Sequence, residues 1–131
     1  MAYYEGLPIY KAATDLVVAL DGAVRRFSRF HKYSIGTQLR ETALDVVLRV
    51  ARANRRDGRE AALEALCLRA EDLKILLNVA KEVKAFQSFN QYVQLMEQVV
   101  GLVRQAEGWR RSASRAVGPE PTSARCSEAR R

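Results

Sequence analysis

The chain has 131 residues, of which 48% are apolar and 28% charged, and its 22 Lys and Arg against 15 Asp and Glu give a formal charge of +7. A chain of this length and composition forms one domain whose core is large enough to fold without metal or disulfide staples. No apolar run approaches the roughly 18 to 20 residues that cross a bilayer, and the amino terminus lacks the layout of a secretion signal. We therefore expect a cytoplasmic protein without membrane contact.

Apolar residues recur at three- and four-residue spacing almost from end to end, with three interruptions, and this periodicity predicts four helices. Pro8 suits a first helical turn because its missing N–H has no partner there, and Ser34 is a good N-cap. The predicted helices run from Pro8 to about Phe30, from the N-cap Ser34 to about Asn54, from about Arg59 to Ala85, and from Phe89 to Trp109.

The segments between these helices are short. His31-Lys32-Tyr33 breaks the first apolar pattern, and Asn54-Arg55-Arg56-Asp57-Gly58 reads as a turn in which Asn and Gly adopt left-handed conformations. Because short loops force neighbouring helices to be antiparallel, the sequence predicts an all-α, up-down-up-down four-helix bundle over residues 1–116. From Val117 prolines and small polar residues take over, so we expect a disordered tail over residues 117–131.

Each predicted helix presents one core stripe, and some present more apolar surface than one stripe needs. In the third helix, Leu and Ala recur at alternating three- and four-residue steps from Leu63 to Ala80, the seam of a left-handed bundle. The predicted core stripe of the fourth helix is Phe89, Tyr92, Val93, Met96, Val99, Val100, Val103 and Ala106. An apolar face wider than one stripe usually means that the helix is buried on two sides. This favours self-association over a bundle of simply well-buried helices. The additional apolar residues are Val18, Leu44, Leu48, Ala51, Ile75 and Leu76.

The sequence offers little catalytic or metal-binding chemistry. Its one histidine, His31, cannot build a di-iron site with paired Glu-x-x-His motifs or a Ser-His-Asp constellation. Cys67 and Cys126 have no CxxC spacing, and no phosphate-binding glycine loop occurs. We therefore expect no enzyme activity, no metal and no cofactor. A small enzyme that uses a pocket in the bundle is kept as an alternative.

Arginine-rich clusters lie at both ends of the predicted bundle. The guanidinium fork pairs with phosphate in a bidentate manner, so these clusters suit a nucleic-acid backbone bound with little sequence selectivity. The alternative is that surface arginines keep the protein soluble or pair with acidic groups of a protein partner. The candidate nucleic-acid-binding residues are Arg49, Arg52, Arg55 and Arg56 at one end and Arg25, Arg26, Arg29, Lys32 and Arg40 at the other. Arg49, Arg52 and Arg56 fall at one-turn intervals and so predict a ladder of cations along one face of the second helix.

Short packing and capping signatures follow one another in a specific order along most of residues 7–112. They include Leu7-Pro8-Ile9-Tyr10-Lys11, the run from Phe30 to Arg40, Ala53-Asn54, and Gly108-Trp109 followed by basic residues. In this order the chain resembles the accessory variability determinant (Avd) proteins of diversity-generating retroelements. That group belongs with the four-helix-bundle proteins encoded in intervening sequences of ribosomal RNA genes, which share much of the turn around Tyr33-Ser34-Ile35-Gly36.

The resemblance implies a basic, ring-shaped homopentamer without catalysis of its own. Such a ring binds the retroelement's reverse transcriptase and its template RNA and supports mutagenic cDNA synthesis and retrohoming. Two other functions remain open at this point, a protein of the ribosomal intervening-sequence type and a protein-protein scaffold without a nucleic-acid role.

Overall fold

The computed structural model describes residues 6–55 and 57–117, with side chains as far as residue 114. These residues form helices and turns, and no strand occurs among them. The helices are α1 Pro8–Arg25, α2 Arg29–Lys32, α3 Ile35–Ala53, α4 Arg59–Glu82 and α5 Phe89–Val117.

The four long helices form a bundle in which each packs against two neighbours. α3 lies between α1 and α4, and α5 closes the arrangement by packing on α4 and α1. Because helices that follow one another in the chain are neighbours joined by short connections, they alternate in direction. The prediction of an all-α four-helix bundle is confirmed.

The core is formed largely by the predicted stripes. Every residue of the predicted third-helix seam is fully buried, including Leu66, Leu73 and Leu77. In α5, Leu95 and Leu102 are buried core residues that the pattern missed. Phe89 was assigned to the core stripe, and this is wrong because its side chain is 68% exposed. Phe86, from the preceding connection, packs there instead, its ring edge-on to buried Phe27 at 5.3 Å.

The first helix ends earlier than predicted. α1 stops at Arg25, and the short α2 begins four residues later, so the break falls before His31 rather than at it. The cause is Ser28, whose hydroxyl accepts a hydrogen bond from the His31 backbone N–H at 3.4 Å and so starts a new helix. Between the two helices Phe27 turns into the core.

α3 begins after Ser34, as predicted, but Ser34 does not cap it through its side chain. The Ser34 hydroxyl instead donates to the carbonyl of Phe30 at 2.8 Å and so closes α2. Gly36 follows in the first turn of α3, where an added Cβ would lie 2.7 Å from Cγ1 of Val24 and 3.0 Å from the carbonyl oxygen of His31. The absence of a side chain at Gly36 therefore lets α3 approach α1 closely.

The turn between α3 and α4 is held by Arg59. Its guanidinium donates to the carbonyls of Ala53 at 3.0 Å and Asn54 at 2.7 Å, which the end of α3 would otherwise leave without partners. Gly58 has the predicted left-handed backbone, with φ of +67°, whereas Asn54 stays in the right-handed helical region.

α4 ends at Glu82 rather than at Ala85, because the chain turns through a left-handed residue at Lys84, whose φ is +62°. The Lys84 N–H donates to the carbonyl of Lys81 and the Ala85 N–H to the carbonyl of Ala80, each at 2.9 Å. This is the Schellman arrangement, in which glycine is the usual left-handed residue.

α5 continues past the predicted end at Trp109 as far as Val117. Its N-cap is Ser88, whose hydroxyl accepts from the Gln91 N–H at 3.1 Å. The predicted tail over residues 117–131 lies, apart from Val117, outside the described residues.

Candidate nucleic-acid interface

The candidate cations lie at the two ends of the bundle. The end of α1, all of α2 and the start of α3 meet the α4–α5 connection at one end, which we call the α2 end. The other end contains the turn between α3 and α4 together with the carboxyl-terminal part of α5, and we call it the Gly58 end. This placement follows from the connectivity.

At the α2 end, two of the candidate arginines share one carboxylate. Arg25 lies 3.0 Å and Arg40 3.5 Å from the Asp21 side chain. The Arg25 side chain is 74% exposed, and an ion pair so open to water contributes little to stability. Its guanidinium can therefore exchange Asp21 for a phosphate at small cost.

Three further candidates at the α2 end have no carboxylate partner among the described residues, namely Arg26, Arg29 and Lys32. No Asp or Glu occurs between Arg25 and Ser34. The α2 segment therefore presents uncompensated positive charge.

Towards the Gly58 end, Arg49 belongs to a closed ion-pair cluster between α3 and α4. Arg49 and Arg69 both donate through Nε to Oδ2 of Asp45 at 2.8 Å, and Arg69 also donates to Asp72 at 3.1 Å. Burial alone would raise the pKa of Asp45, but the hydrogen bonds from the two arginines more than offset it, so the pKa lies below its ordinary value. Arg69 joins α4 to α3 through Asp45, and Arg49, which shares that carboxylate, is the least available of the candidates.

Arg52 and Arg55 are exposed, and neither side chain pairs with a carboxylate among the described residues. The sequence placed Arg49, Arg52 and Arg56 on a ladder along one helix face, but α3 ends at Ala53. Arg56 lies outside the described residues. The available cations at this end are therefore Arg52 near the end of α3 and Arg55 in the turn.

Other arginines at the Gly58 end divide in the same way. Arg59 is occupied by backbone carbonyls, and Arg110 lies 3.1 Å from Glu107, which raises the pKa of Arg110. Arg104 and Arg111 are exposed without a carboxylate partner in the described part of the chain. Arg104 and Arg111 therefore add to the positive surface on α5.

Part of the additional apolar surface predicted from the sequence is exposed on α3 and α4, whereas Ala51 and Leu76 are half-buried and Val18 is exposed on α1. The Asp45–Arg69 ion pair bridges these helices, and Leu44 and Leu68 directly precede its two members. Leu44 is 53% and Ile75 is 59% exposed, far more than core residues of a monomer. We call this surface the α3–α4 apolar face, and its exposed members are Leu44, Leu48, Leu68, Ile75 and Val79.

The sequence reasoning missed a group of exposed aromatic side chains at the α2 end. Phe30 is 76%, Tyr33 71% and Phe89 68% exposed. The available signal was the position of Phe30 and Tyr33 among basic residues, within a segment that breaks the apolar period.

The described residues show little metal-binding or nucleophilic chemistry beside these surfaces. No cluster of three His, Cys, Asp or Glu side chains suited to a metal occurs among the described residues. Burial raises the pKa of the Cys67 thiol to about 11, so Cys67 is a poor nucleophile. What the arrangement can do chemically is bind anions through guanidinium and ammonium groups.

The fold and the charge distribution define a basic helical bundle. No protein-family model matches the chain, and no curated protein matches it either. None of the described helices is long and apolar enough to cross a membrane.

Proposed function

We propose that this chain is a non-catalytic accessory protein that binds RNA or DNA through contacts from arginine and lysine to phosphates. The observation that carries the proposal is that exposed cations at both ends of the bundle have no carboxylate partner among the described residues. The net charge of +7 means that cations outnumber carboxylates, and these exposed cations are part of that excess. The available candidates are the exposed Arg26, Arg29, Arg52 and Arg55 and the half-buried Lys32.

We further propose that the chain works in the cytoplasm as the Avd protein of a diversity-generating retroelement. In this role it binds the element's reverse transcriptase and template RNA and supports mutagenic cDNA synthesis and retrohoming. Support comes from the order of the short motifs along the chain and from the four-helix bundle, which is the fold that the resemblance implies.

The α3–α4 apolar face supports self-association as part of this function. Large apolar side chains such as Leu44, Leu48 and Ile75 leave a broad surface in water that a second subunit would cover. We propose a ring-shaped homo-oligomer, a pentamer by resemblance, in which α1, α3 and α4 supply the apolar contacts. Positive charge then multiplies with the number of subunits, which strengthens binding to a polyanion.

Filter binding with a structured RNA tests the proposal. Neutralising Arg52, Arg55 and Arg56 together with glutamine should weaken binding to all RNA sequences by a similar factor, because phosphate contacts carry no sequence information. Far-UV circular dichroism should show an unchanged fold, since neither Arg52 nor Arg55 has a side-chain partner among the described residues.

A matched variant controls for net charge. Lys74, Lys81 and Arg110 each pair with a carboxylate on their own helix and have side chains less than half exposed, so replacing them by glutamine removes the same charge from occupied positions. Binding should fall less in this control than in the first variant. Equal losses would mean that net charge alone drives binding. Feeble RNA retention by the wild-type protein would instead favour a protein-protein scaffold.

A further inference from the structure

We propose that the α2 end binds an unpaired stretch of nucleic acid, whose bases stack on exposed aromatic rings while neighbouring cations hold its phosphates. This inference rests on the proposed nucleic-acid binding and specifies the kind of strand that is bound. Its basis is that exposed aromatic rings and cations without a carboxylate partner among the described residues lie at the same end of the bundle.

The exposed rings are concentrated. The large hydrophobic side chains that the described structure leaves exposed include three aromatic ones, Phe30, Tyr33 and Phe89, and all of them lie at the α2 end. Phe30 contacts the ring of His31 at 5.3 Å and Phe89 that of Tyr92 at 5.5 Å between centroids, yet most of each side chain remains in water. Aromatic faces offered to solvent are the platforms on which single-stranded binding proteins stack successive bases, independently of sequence.

Cations alternate with the rings along the chain. Arg29, Lys32 and the rings of Phe30 and Tyr33 occupy one short segment that contains no carboxylate. On the connection to α5, Lys84 likewise lies five residues before Phe89 and has no carboxylate partner in the described structure. Alternating charge and aromatic surface matches a strand whose phosphates and bases alternate in the same way.

Direct contacts hold the two segments together at this end. Phe86 packs on Phe27 at 5.3 Å between ring centroids, and the Gln87 side chain donates to the carbonyl of Arg26 at 3.4 Å. Beside these contacts lies a shallow hollow of about 280 Å³, with Lys84 and Phe89 among its lining residues. The chain between α1 and α2 and the α4–α5 connection therefore pack against each other at this end.

The backbone at Lys84 adds a second kind of observation. Lys84 is the left-handed residue of the turn after α4, a position at which a side chain is unfavourable and glycine is preferred. A lysine here costs stability and provides a cation beside Phe89. Unfavourable backbone conformations of this kind are concentrated at functional sites.

An unpaired strand fits these features better than a duplex does. In a double helix the base faces are covered by their neighbours, so exposed rings find nothing to stack on, whereas phosphates remain accessible. Binding at the α2 end should therefore favour single strands, and the cations at the Gly58 end should contribute to both forms.

The test compares single-stranded and duplex RNA of the same length, using the full chain. Replacing Phe30, Tyr33 and Phe89 by leucine keeps the charge and much of the apolar surface but removes the rings. Affinity for the single strand should fall about tenfold or more, since a single stacked base contributes about that much, and affinity for the duplex should change less than twofold. Val83→Ala alters an exposed apolar side chain without a ring at the same end of the bundle and should change neither.

The Lys84→Gly variant separates binding from folding. It relieves the left-handed backbone, so the protein should be at least as resistant to urea as the wild type while binding the single strand more weakly. A loss of binding in a protein that is not destabilised cannot be ascribed to misfolding. Unchanged single-strand affinity in this variant would remove Lys84 from the site.

The outcomes distinguish the inference from the function on which it rests. If wild-type protein binds neither RNA form, the proposed function fails. If it binds both forms in a salt-dependent way and the leucine variant weakens both equally or neither, the function stands and the stacking site is refuted. If the leucine variant instead loses cosedimentation with phosphatidylserine vesicles and keeps full single-strand affinity, the α2 end is a membrane-binding surface and the inference is overturned.

Discussion

Replacing Gly36 by alanine tests how closely α3 must approach α1. The new Cβ would lie 2.7 Å from Cγ1 of Val24 and 3.0 Å from the His31 carbonyl oxygen. The carbon-carbon distance is about 1 Å shorter than the optimum of roughly 3.5 to 4.0 Å. Val24 is fully buried and β-branched, so it cannot rotate away freely.

The expected free-energy change is the balance of two effects. Overpacking a buried site costs about 1 to 3 kcal/mol. Alanine in a helix gains up to about 1 kcal/mol over glycine, and less in the first turn, where Gly36 lies. We therefore expect Gly36→Ala to lower the free energy of unfolding by about 1 to 2 kcal/mol.

Gly101→Ala is the matched control, because a Cβ at Gly101 meets no atom within 4 Å. This variant should be stabilised by up to about 1 kcal/mol. Urea unfolding at one protein concentration, followed by far-UV circular dichroism, measures both variants, and the midpoints should move in opposite directions with unchanged slope. If Gly36→Ala is as stable as Gly101→Ala, the close approach of α3 to α1 is wrong.

Three further predictions concern other parts of the bundle. Because the folded pKa of Asp45 lies below its ordinary value of 3.8, its ion pairs stabilise the protein above that pH and are lost as the pH falls through the folded pKa; urea unfolding should show a steeper acid loss in the wild type than in Asp45→Asn, and parallel curves would contradict this. In a Cys126→Ser variant, Cys67 should react with a thiol reagent at neutral pH only as the protein unfolds, since burial raises its pKa to about 11; rapid labelling of folded protein would refute its burial. Leu48→Glu should lower the mass measured by light scattering, whereas Gln38→Glu, an equal charge change elsewhere on α3, should not; an unchanged mass would remove Leu48 from the subunit contact.

Apolar periodicity predicted the bundle because the residues that a helix buries recur at a fixed spacing along it. The seam from Leu63 to Ala80 needed no knowledge of neighbouring helices, since each step keeps the same face inward. Helix ends depend on more than periodicity. Ser34 is the N-cap that the sequence predicts, and only the folded chain shows that Ser28 starts α2 while the Ser34 hydroxyl closes it.

The end of α4 shows a second limit of prediction from the sequence. Lysine is a poor signal for a left-handed turn, so nothing in the sequence pointed to Lys84. The apolar period starts the fourth helix at Phe89 and so predicts that this ring, rather than Phe86 of the connection before it, enters the core. Phe86 does so because it meets Phe27, a contact between segments that are distant in the sequence.

The sequence predicted where the candidate cations lie but not which of them are available to bind phosphate. Connectivity alone put the arginines at two ends. The pair Arg49–Asp45 follows from a four-residue spacing on one helix, whereas Arg69 reaches Asp45 across 24 residues and makes the cluster closed. Which cations are available to phosphate therefore depends on packing between α3 and α4.

The central claim is that cations without carboxylate partners bind nucleic-acid phosphates. The most direct measurement is the affinity of the intact protein for a structured RNA at a series of salt concentrations. The account predicts that the logarithm of the association constant falls linearly with the logarithm of salt, with a slope of roughly −0.7 to −0.9 per phosphate contacted. An affinity independent of salt, or no binding at low salt, would contradict it.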